Sequence, residues 1–403
     1  MPVDLWLLKD VTPPVIGPAR SESAYIVQGL APIQLSSHAV GTAIGLSEAP
    51  NPLVLPQWQT FKSGPNNAIT DVPGVKVGHV TYSKNESFPV RTGVTAVVPD
   101  AETLTNGSGN LANTGFKAAV VSLSGNGELT GSSFITEFGV LNGPVLLTNT
   151  RSVGMIYEGV ERYFQKAFPK QWASQLPVVG ECWDGFFNSI EQFVIPSEAT
   201  EQAITRAKDG PVLQGRVGAG TGMRSFELHA GIGSASRKLT IGEREYTVGV
   251  LVNANHSRLA NMNPLIREQL ESRFGSLEQL RDRDNQDAAA SHSASFTALP
   301  QRQGSIQVVI ATDLPLATRQ LEQIGKRAGL GIGLIGSPMA TSSGDFVTAF
   351  TTANPVPMGL QAVPVLQTAE LQQDELTPVF RAVIEAVLEA QINALIASHS
   401  GTQ

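Results

Sequence analysis

Apolar residues along this chain follow two rhythms. Short β-branched runs bounded by Gly, Pro, Asn or Asp recur at residues 75–80, 93–98, 118–123, 145–148, 177–180 and 247–252, and runs of that kind read as strands. The run 305–312 is the most uniform, and it begins directly at Gly304-Ser305. Residues 346–350 make another strand-like stretch. Between these lie helical spacings. Residues 132–142 and 152–168 predict two helices. After the 305–312 run, Asp313 is expected as an N-cap and Pro315 as an early helical position. Leu316, Gln320, Leu321, Ile324 and Ala328 follow at helical spacing, with Gly329 or Gly331 expected to end the helix. Thr377-Pro378 repeats the cap-then-proline signal, and Val379, Val383, Val387, Ala390 and Ala394 form a stripe behind it. Strands interleaved with helices predict an α/β sandwich of layers.

Two segments break the rhythm. Residues 1–63 are punctuated by prolines and lack a clear period, which predicts an N-terminal extension ahead of one domain over 64–403. Residues 263–302 open with Asn263-Pro264, run through many charges and pass into a small, polar tract at 288–295. They predict a solvated helix and then a flexible loop leading to Gly304-Ser305.

Composition narrows the class. A net charge of −7 argues against a nucleic-acid partner, because phosphate binding needs a basic face. The single cysteine, Cys182, excludes an internal disulfide and a Cys-rich metal site. It fits a reducing compartment. The first residues do not read as a secretory signal, and no stretch approaches the ~20 apolar residues that span a bilayer. The expectation is a cytoplasmic protein with no membrane partner.

Candidate chemistry centres on Ser305. Cutting the Gly304–Ser305 bond would give that serine a free α-amine beside its own hydroxyl, one recognised way to activate a nucleophile. Ser343 and Asp345 stand two apart and share a face in an extended chain. Such a pair can orient an amine or relay a proton. Glu181, Trp183 and Asp184 follow an apolar run, where α/β proteins place sites. Asn255 ends another run and carries an amide able to stabilise an oxyanion. The Gly-Ala-Gly-Thr-Gly tract at 218–222 lacks dinucleotide-loop spacing and predicts a tight turn between strands. The histidines are scattered, and none has a context that recommends a triad.

Four segments together carry a resemblance. They are Ile-Thr-Asp-Val-Pro-Gly-Val-Lys-Val-Gly-His at 69–79, Val-Gly-Ala-Gly-Thr-Gly-Met at 217–223 and Gly-Ile-Gly-Ser-Ala-Ser-Arg at 231–237. The fourth is Gly-Ser-Ile-Gln-Val-Val-Ile-Ala-Thr-Asp-Leu-Pro-Leu at 304–316. From Asn67 to its last helix the chain resembles the self-processing N-terminal-serine aminopeptidases. That family includes the L-aminopeptidase/D-amidase/D-esterase enzymes and the β-peptidyl aminopeptidases.

The resemblance implies a four-layer αββα sandwich, similar in layering to N-terminal nucleophile hydrolases but differently connected. It implies self-cleavage into an α-chain, 1–304, and a β-chain, 305–403, assembled as a homo-oligomer of about four pairs. It also implies a small peptide, amide or ester substrate with a free amine, and no metal or organic cofactor. Ser305 falls on the nucleophile, Ser343 and Asp345 on its supporting serine and acid, and Asn255 on the oxyanion amide. Glu181 falls on the carboxylate that receives the substrate's amine. Trp183 stands near a position where some relatives have Tyr, and Asp345 is one methylene shorter than the Glu common there. Two rival readings are an acyltransferase of similar fold and an unprocessed relative that only binds ligands.

Overall fold

The computed structural model describes residues 59–84, 88–171, 176–289 and 304–400. All lie in one compact unit, Ser47–Gln403. Among the described residues the strands and α-helices begin with the long hairpin β1 (Val75–Lys84) and β2 (Val90–Pro99), the short helix α1 (Ala101–Leu104) and β3 (Thr114–Gly125). Next come α2 (Ser132–Phe138), β4 (Val140–Leu141), β5 (Val145–Asn149), α3 (Val153–Ala167), β6 (Val178–Cys182) and α4 (Glu198–Thr205). A small hairpin, β7 (Arg224–Ser225) and β8 (Leu228–His229), precedes the long strands β9 (Gly231–Ile241) and β10 (Arg244–His256). Helices α5 (Pro264–Phe274) and α6 (Leu277–Ala289) follow. The unit closes with β11 (Gly304–Thr312), α7 (Thr318–Ile335), β12 (Gly344–Pro357) and α8 (Leu376–His399).

Two sheets form the middle. One has the order β1-β2-β5-β6, the other β4-β3-β12-β11-β10-β9. Three apolar layers account for their stacking. Val94, Ala96, Leu146 and Val179 of the first sheet pack on Ile156 and Val160 of α3 and Ala203 of α4. Between the sheets, Val97, Val145 and Leu147 meet Phe116, Leu251, Val309 and Phe350. Beyond the second sheet, Val250, Ile306, Val308 and Val347 meet Leu321 and Ile324 of α7 and Val383 and Val387 of α8. Helix, sheet, sheet, helix is the αββα order. Strand β11 lies inside it with both faces covered, and this explains its apolar run, which only Gln307 interrupts between Ile306 and Ala311.

Several local expectations change. Asp313 does not cap α7; its Oδ1 accepts the Thr247 backbone N–H at 2.6 Å. The helix starts later, where the Ala317 N–H donates to Gln320 Oε1 at 3.0 Å. It runs through Gly329 and Gly331, and at Gly331 a Cβ would come within 2.8 Å of the Ile384 carbonyl on α8. The helix ends at Gly336, left-handed at φ 115°. The first predicted helix breaks at Gly139 (φ 65°), so its tail becomes β4. Helices α5 and α6 are not simply solvated: Ile266, Leu270, Leu277 and Leu280 pack on Ile392 and Leu395 of α8. The expected polar tract at 288–295 begins within the end of α6; the rest of it, the loop up to 303 and most of the extension lie outside the described residues. The end of the extension is docked, with the Thr60 N–H donating to Glu385 Oε1 at 2.8 Å.

The 231–237 segment serves the fold. Gly233 lets β9 approach α8 so closely that a Cβ would meet the Ala390 carbonyl at 1.8 Å. Ser234 Oγ accepts the Ile69 N–H and donates to the Val250 carbonyl. Arg237 crosses to α8 and pairs with Glu385 at 3.1 Å and Glu389 at 2.6 Å, all nearly buried. Removing the cation alone strands two carboxylates in a low-dielectric layer. The variant Arg237→Met is expected to lose about 3–5 kcal/mol of unfolding free energy, read as a lower urea midpoint. A loss near zero would mean that this triad adds nothing.

Candidate active site

Ser305 is buried, 3% exposed, near the edge of the sandwich. In register it lies opposite Asn255 of antiparallel β10 and opposite Gly344 of parallel β12. Ile306, Val308 and Ile310 face the α7–α8 layer, and Val309 and Ala311 face the other sheet. The pleat therefore aims Ser305 and Gln307 into the inter-sheet space. The residue before it can only be glycine. Gly304 has φ +83°, and a Cβ there would lie 1.9 Å from the Asn255 carbonyl oxygen.

Asn255 is held at both ends. Its Oδ1 accepts the Arg224 backbone N–H at 2.9 Å, which identifies the side chain's oxygen. Its Nδ2 donates to the Trp183 carbonyl at 2.8 Å and lies 3.5 Å from Ser305 Oγ. A primary amide has two N–H bonds. One is spent on Trp183, which leaves the other directed toward the serine.

Ser343 and Asp345 flank Gly344 and so bracket the partner of Ser305. Ser343 Oγ donates to Asp345 Oδ1 at 2.6 Å, and both residues are buried. Burial raises the Asp345 pKa to about 6, against the opposing pull of the Ser343 hydroxyl and the Ile306 backbone N–H. Val347 and Ala349 of the same strand face the helices. By alternation Asp345 stands on that side, across the sheet from the Ser305 hydroxyl.

The other sheet supplies Glu181, Cys182 and Trp183 from the end of β6. Glu181 is buried. Its Oε1 accepts the Glu128 backbone N–H at 3.2 Å, and Thr150 Oγ1 donates to Oε2. Gly127 presses on the same carboxylate, since a Cβ there would come 2.9 Å from Oε1. Three consecutive residues of this end are tied to the second sheet. Gln307 Nε2 donates to the Glu181 carbonyl at 3.0 Å, Cys182 Sγ to the Asn253 carbonyl at 3.4 Å, and Asn255 Nδ2 to the Trp183 carbonyl. Burial, with the Glu181 charge adding to it, pushes the Cys182 thiol well above its ordinary pKa and keeps it protonated. Trp183 is half-buried, with Gly185 under its indole ring.

Other candidates stand elsewhere. Asp184 is fully buried, accepts from Asn188 Nδ2 at 3.0 Å and is raised by burial to about pKa 6. Burial lowers His79 and His256 to about 4, and they bond Thr95 and Gln391 respectively. The glycine tract forms a tight 3-10 turn, Gly218–Gly220, but it lies between α4 and β7 and not between two strands. Its Ala219 N–H meets Thr95, and a Cβ at Gly222 would lie 2.2 Å from the Arg91 carbonyl. Among the described residues no group of three or more His, Cys, Asp or Glu could hold a metal ion, and no helix is long and apolar enough to cross a membrane. The partners that sequence reasoning missed are Thr150, Gly127, the Glu128 N–H and Gln307. The glycine at 127 was a usable signal for close approach, but a lone threonine and glutamine carry none.

The matches with known proteins fall on this same framework. The chain matches peptidase family S58 over residues 67–403. It is 37% identical over 357 residues to the β-peptidyl aminopeptidase BapA of Sphingosinicella microcystinivorans, covering 85% of this chain and 84% of that protein. Among solved structures it is similar to the L-aminopeptidase D-Ala-esterase/amidase of Ochrobactrum anthropi, a prototype for the serine aminopeptidases and a variant of the Ntn hydrolase fold. That similarity has a TM-score of 0.71 at 34% identity, over 84% of this chain and 88% of the other. A Burkholderia β-aminopeptidase gives a TM-score of 0.70 at 33% identity, over 84% and 89%. Family match, relatives and fold agree along one continuous stretch: this chain belongs to peptidase family S58 and is a hydrolase of the aminopeptidase class.

Proposed function

We propose that this aminopeptidase makes its own nucleophile by cutting between Gly304 and Ser305, then releases N-terminal residues from small peptides, amides or esters. The observation that carries the reading is the setting of Ser305. It stands next to a left-handed, glycine-only residue, with an amide donor on one side and a hydroxyl–carboxylate pair on the other. In the first act Ser305 Oγ attacks the Gly304 carbonyl carbon, the C–N bond breaks and the nitrogen takes the hydroxyl proton. Water then opens the ester, leaving a Gly304 carboxylate and a free Ser305 amine.

In the second act Ser305 Oγ attacks the substrate carbonyl. Its proton passes to the α-amine and then to the leaving amine or alcohol; water releases the acyl group. An α-amine has a reference pKa of about 7.7–8.0, which suits a base at neutral pH. Asn255 Nδ2 donates its second N–H to the oxyanion. The Ser343–Asp345 pair, beside the strand end and across the sheet from the hydroxyl, holds the amine. Glu181 takes the substrate ammonium, and Trp183 walls the same side. The reading extends to a cytoplasmic homo-oligomer of αβ pairs. Val363 and Val365 on the 359–370 stretch are exposed apolar side chains that a second copy would cover.

Ser305→Ala is expected to remain one chain with no peptidase activity, and Gly304→Ala to process at least roughly 10-fold more slowly because its backbone conformation penalises a Cβ. Intact mass of the purified variants checks both, and normal two-chain product from Ser305→Ala refutes the first act. Asn255→Ala in processed protein is expected to lose roughly 10²–10³-fold in kcat. The pH profile tests Asp345. An ionised carboxylate stabilises the neighbouring ammonium and raises its pKa, so Asp345→Asn lowers that pKa. The acid limb of kcat/KM should then move to lower pH by about one unit, or ~1.4 kcal/mol. An unmoved limb places the carboxylate away from the amine.

A further inference from the structure

We infer that Gln307 is a positioning residue: its side-chain amide bridges the two sheets and sets how far the Glu181 carboxylate lies from Ser305 Oγ. The inference rests on the roles proposed for those two groups. An aminopeptidase must measure from the substrate's ammonium to its scissile carbonyl, and here the two ends of that measure belong to different sheets. Apolar contact between sheets is not directional. Directional polar contacts must therefore fix the offset.

Gln307 supplies one at the right place. It is two residues after Ser305 on the same face of β11, and it is buried at 2% exposure. Its Nε2 donates to the Glu181 carbonyl at 3.0 Å, on the residue that carries the carboxylate. Gly180 makes room for it, since a Cβ there would lie 2.5 Å from Gln307 Oε1. On the neighbouring strand Asn253, the register partner of Gln307, accepts the Cys182 thiol, so two adjacent rungs grip the end of β6. The third tie, Asn255 to Trp183, belongs to the oxyanion donor itself. Gln307 is thus a tie that can be cut without removing a group that touches the reacting atoms.

The test compares alanine p-nitrophenyl ester with p-nitrophenyl propionate, its counterpart without the amine, on processed protein. Wild type should favour the amine-bearing ester. Gln307→Met keeps length and loses the donor. It should lower kcat/KM for the alanine ester roughly 10- to 100-fold, mostly through KM, because small misplacements of a binding group are costly. Its rate on the propionate should stay within about twofold of wild type, since that ester does not use Glu181. Gln307→Asn, with the donor one carbon short, should show the same split, and it carries the test if the Met variant does not fold. Equal losses on both esters, in a protein whose wild type favours the amine, overturn the inference alone. A wild type with no preference overturns the reading of Glu181, and the inference with it.

Discussion

Three hydrogen bonds between the end of β6 and the strands β10 and β11 determine the geometry of this site. The two sheets meet elsewhere through Val, Leu and Phe side chains, contacts that hold layers together without fixing one offset. At the edge this changes. Gln307, Asn253 and Asn255 engage Glu181, Cys182 and Trp183 in sequence order. All six groups are buried or half-buried, so an unmade bond leaves a polar group dry at about 1–3 kcal/mol. The penalty makes sliding expensive and turns a soft interface into a fixed one.

Such close approach needs backbone without side chains. Gly180 admits Gln307, Gly127 lies against the Glu181 carboxylate and Gly304 folds under the Asn255 carbonyl. Gly344 sits against the Asn126 carbonyl, 2.8 Å from where a Cβ would be. Gly304 and Gly344 are the chain neighbour and register partner of Ser305, and Gly180 and Gly127 crowd the Gln307 and Glu181 side chains. Their common cause is crowding by carbonyl oxygens and carboxylates, not flexibility. Other glycines in the chain, such as Gly107 and Gly242, meet nothing and simply turn the backbone.

Much of this was legible in the sequence, and the limits have physical causes. The buried strand at 305–312 announced itself because both faces are covered, so apart from Gln307 every side chain in it is apolar or small. Ser343 and Asp345 could be paired because their spacing is local. Gln307 and Thr150 could not be, because their partners are 126 and 31 residues away and only the sheet order brings them together. The end of α7 was misplaced for a related reason. Gly329 and Gly331 look like helix stops locally, yet at Gly331 the glycine is there to let α8 approach. The charged stretch at 263–302 read as solvated, but its few apolar residues, set at 266, 270, 277 and 280, are the ones that pack. The fold class was robust to these errors because it depends on how strands and helices alternate, not on where each one stops.

The placement of Ser305 at the start of a strand solves a problem that a mid-strand serine could not. In the middle of β11 the backbone nitrogen would be committed to the ladder and the side chain would have one face. At the second position of β11 the hydroxyl faces the inter-sheet space with Asn255, and the proposed cut would leave the nitrogen at a chain end, opposite the Gly344 that the Ser343–Asp345 pair flanks. In the proposed reading, nucleophile and base would therefore occupy different environments although they share one Cα. The buried carboxylate, raised by burial to about pKa 6, has one oxygen without a hydrogen-bond partner among the described residues. An ammonium formed next to it would meet that need and offset part of the cost of burial. The proposed cleavage would thus create a group that suits this pocket, and the step that frees the amine would give the carboxylate oxygen a partner.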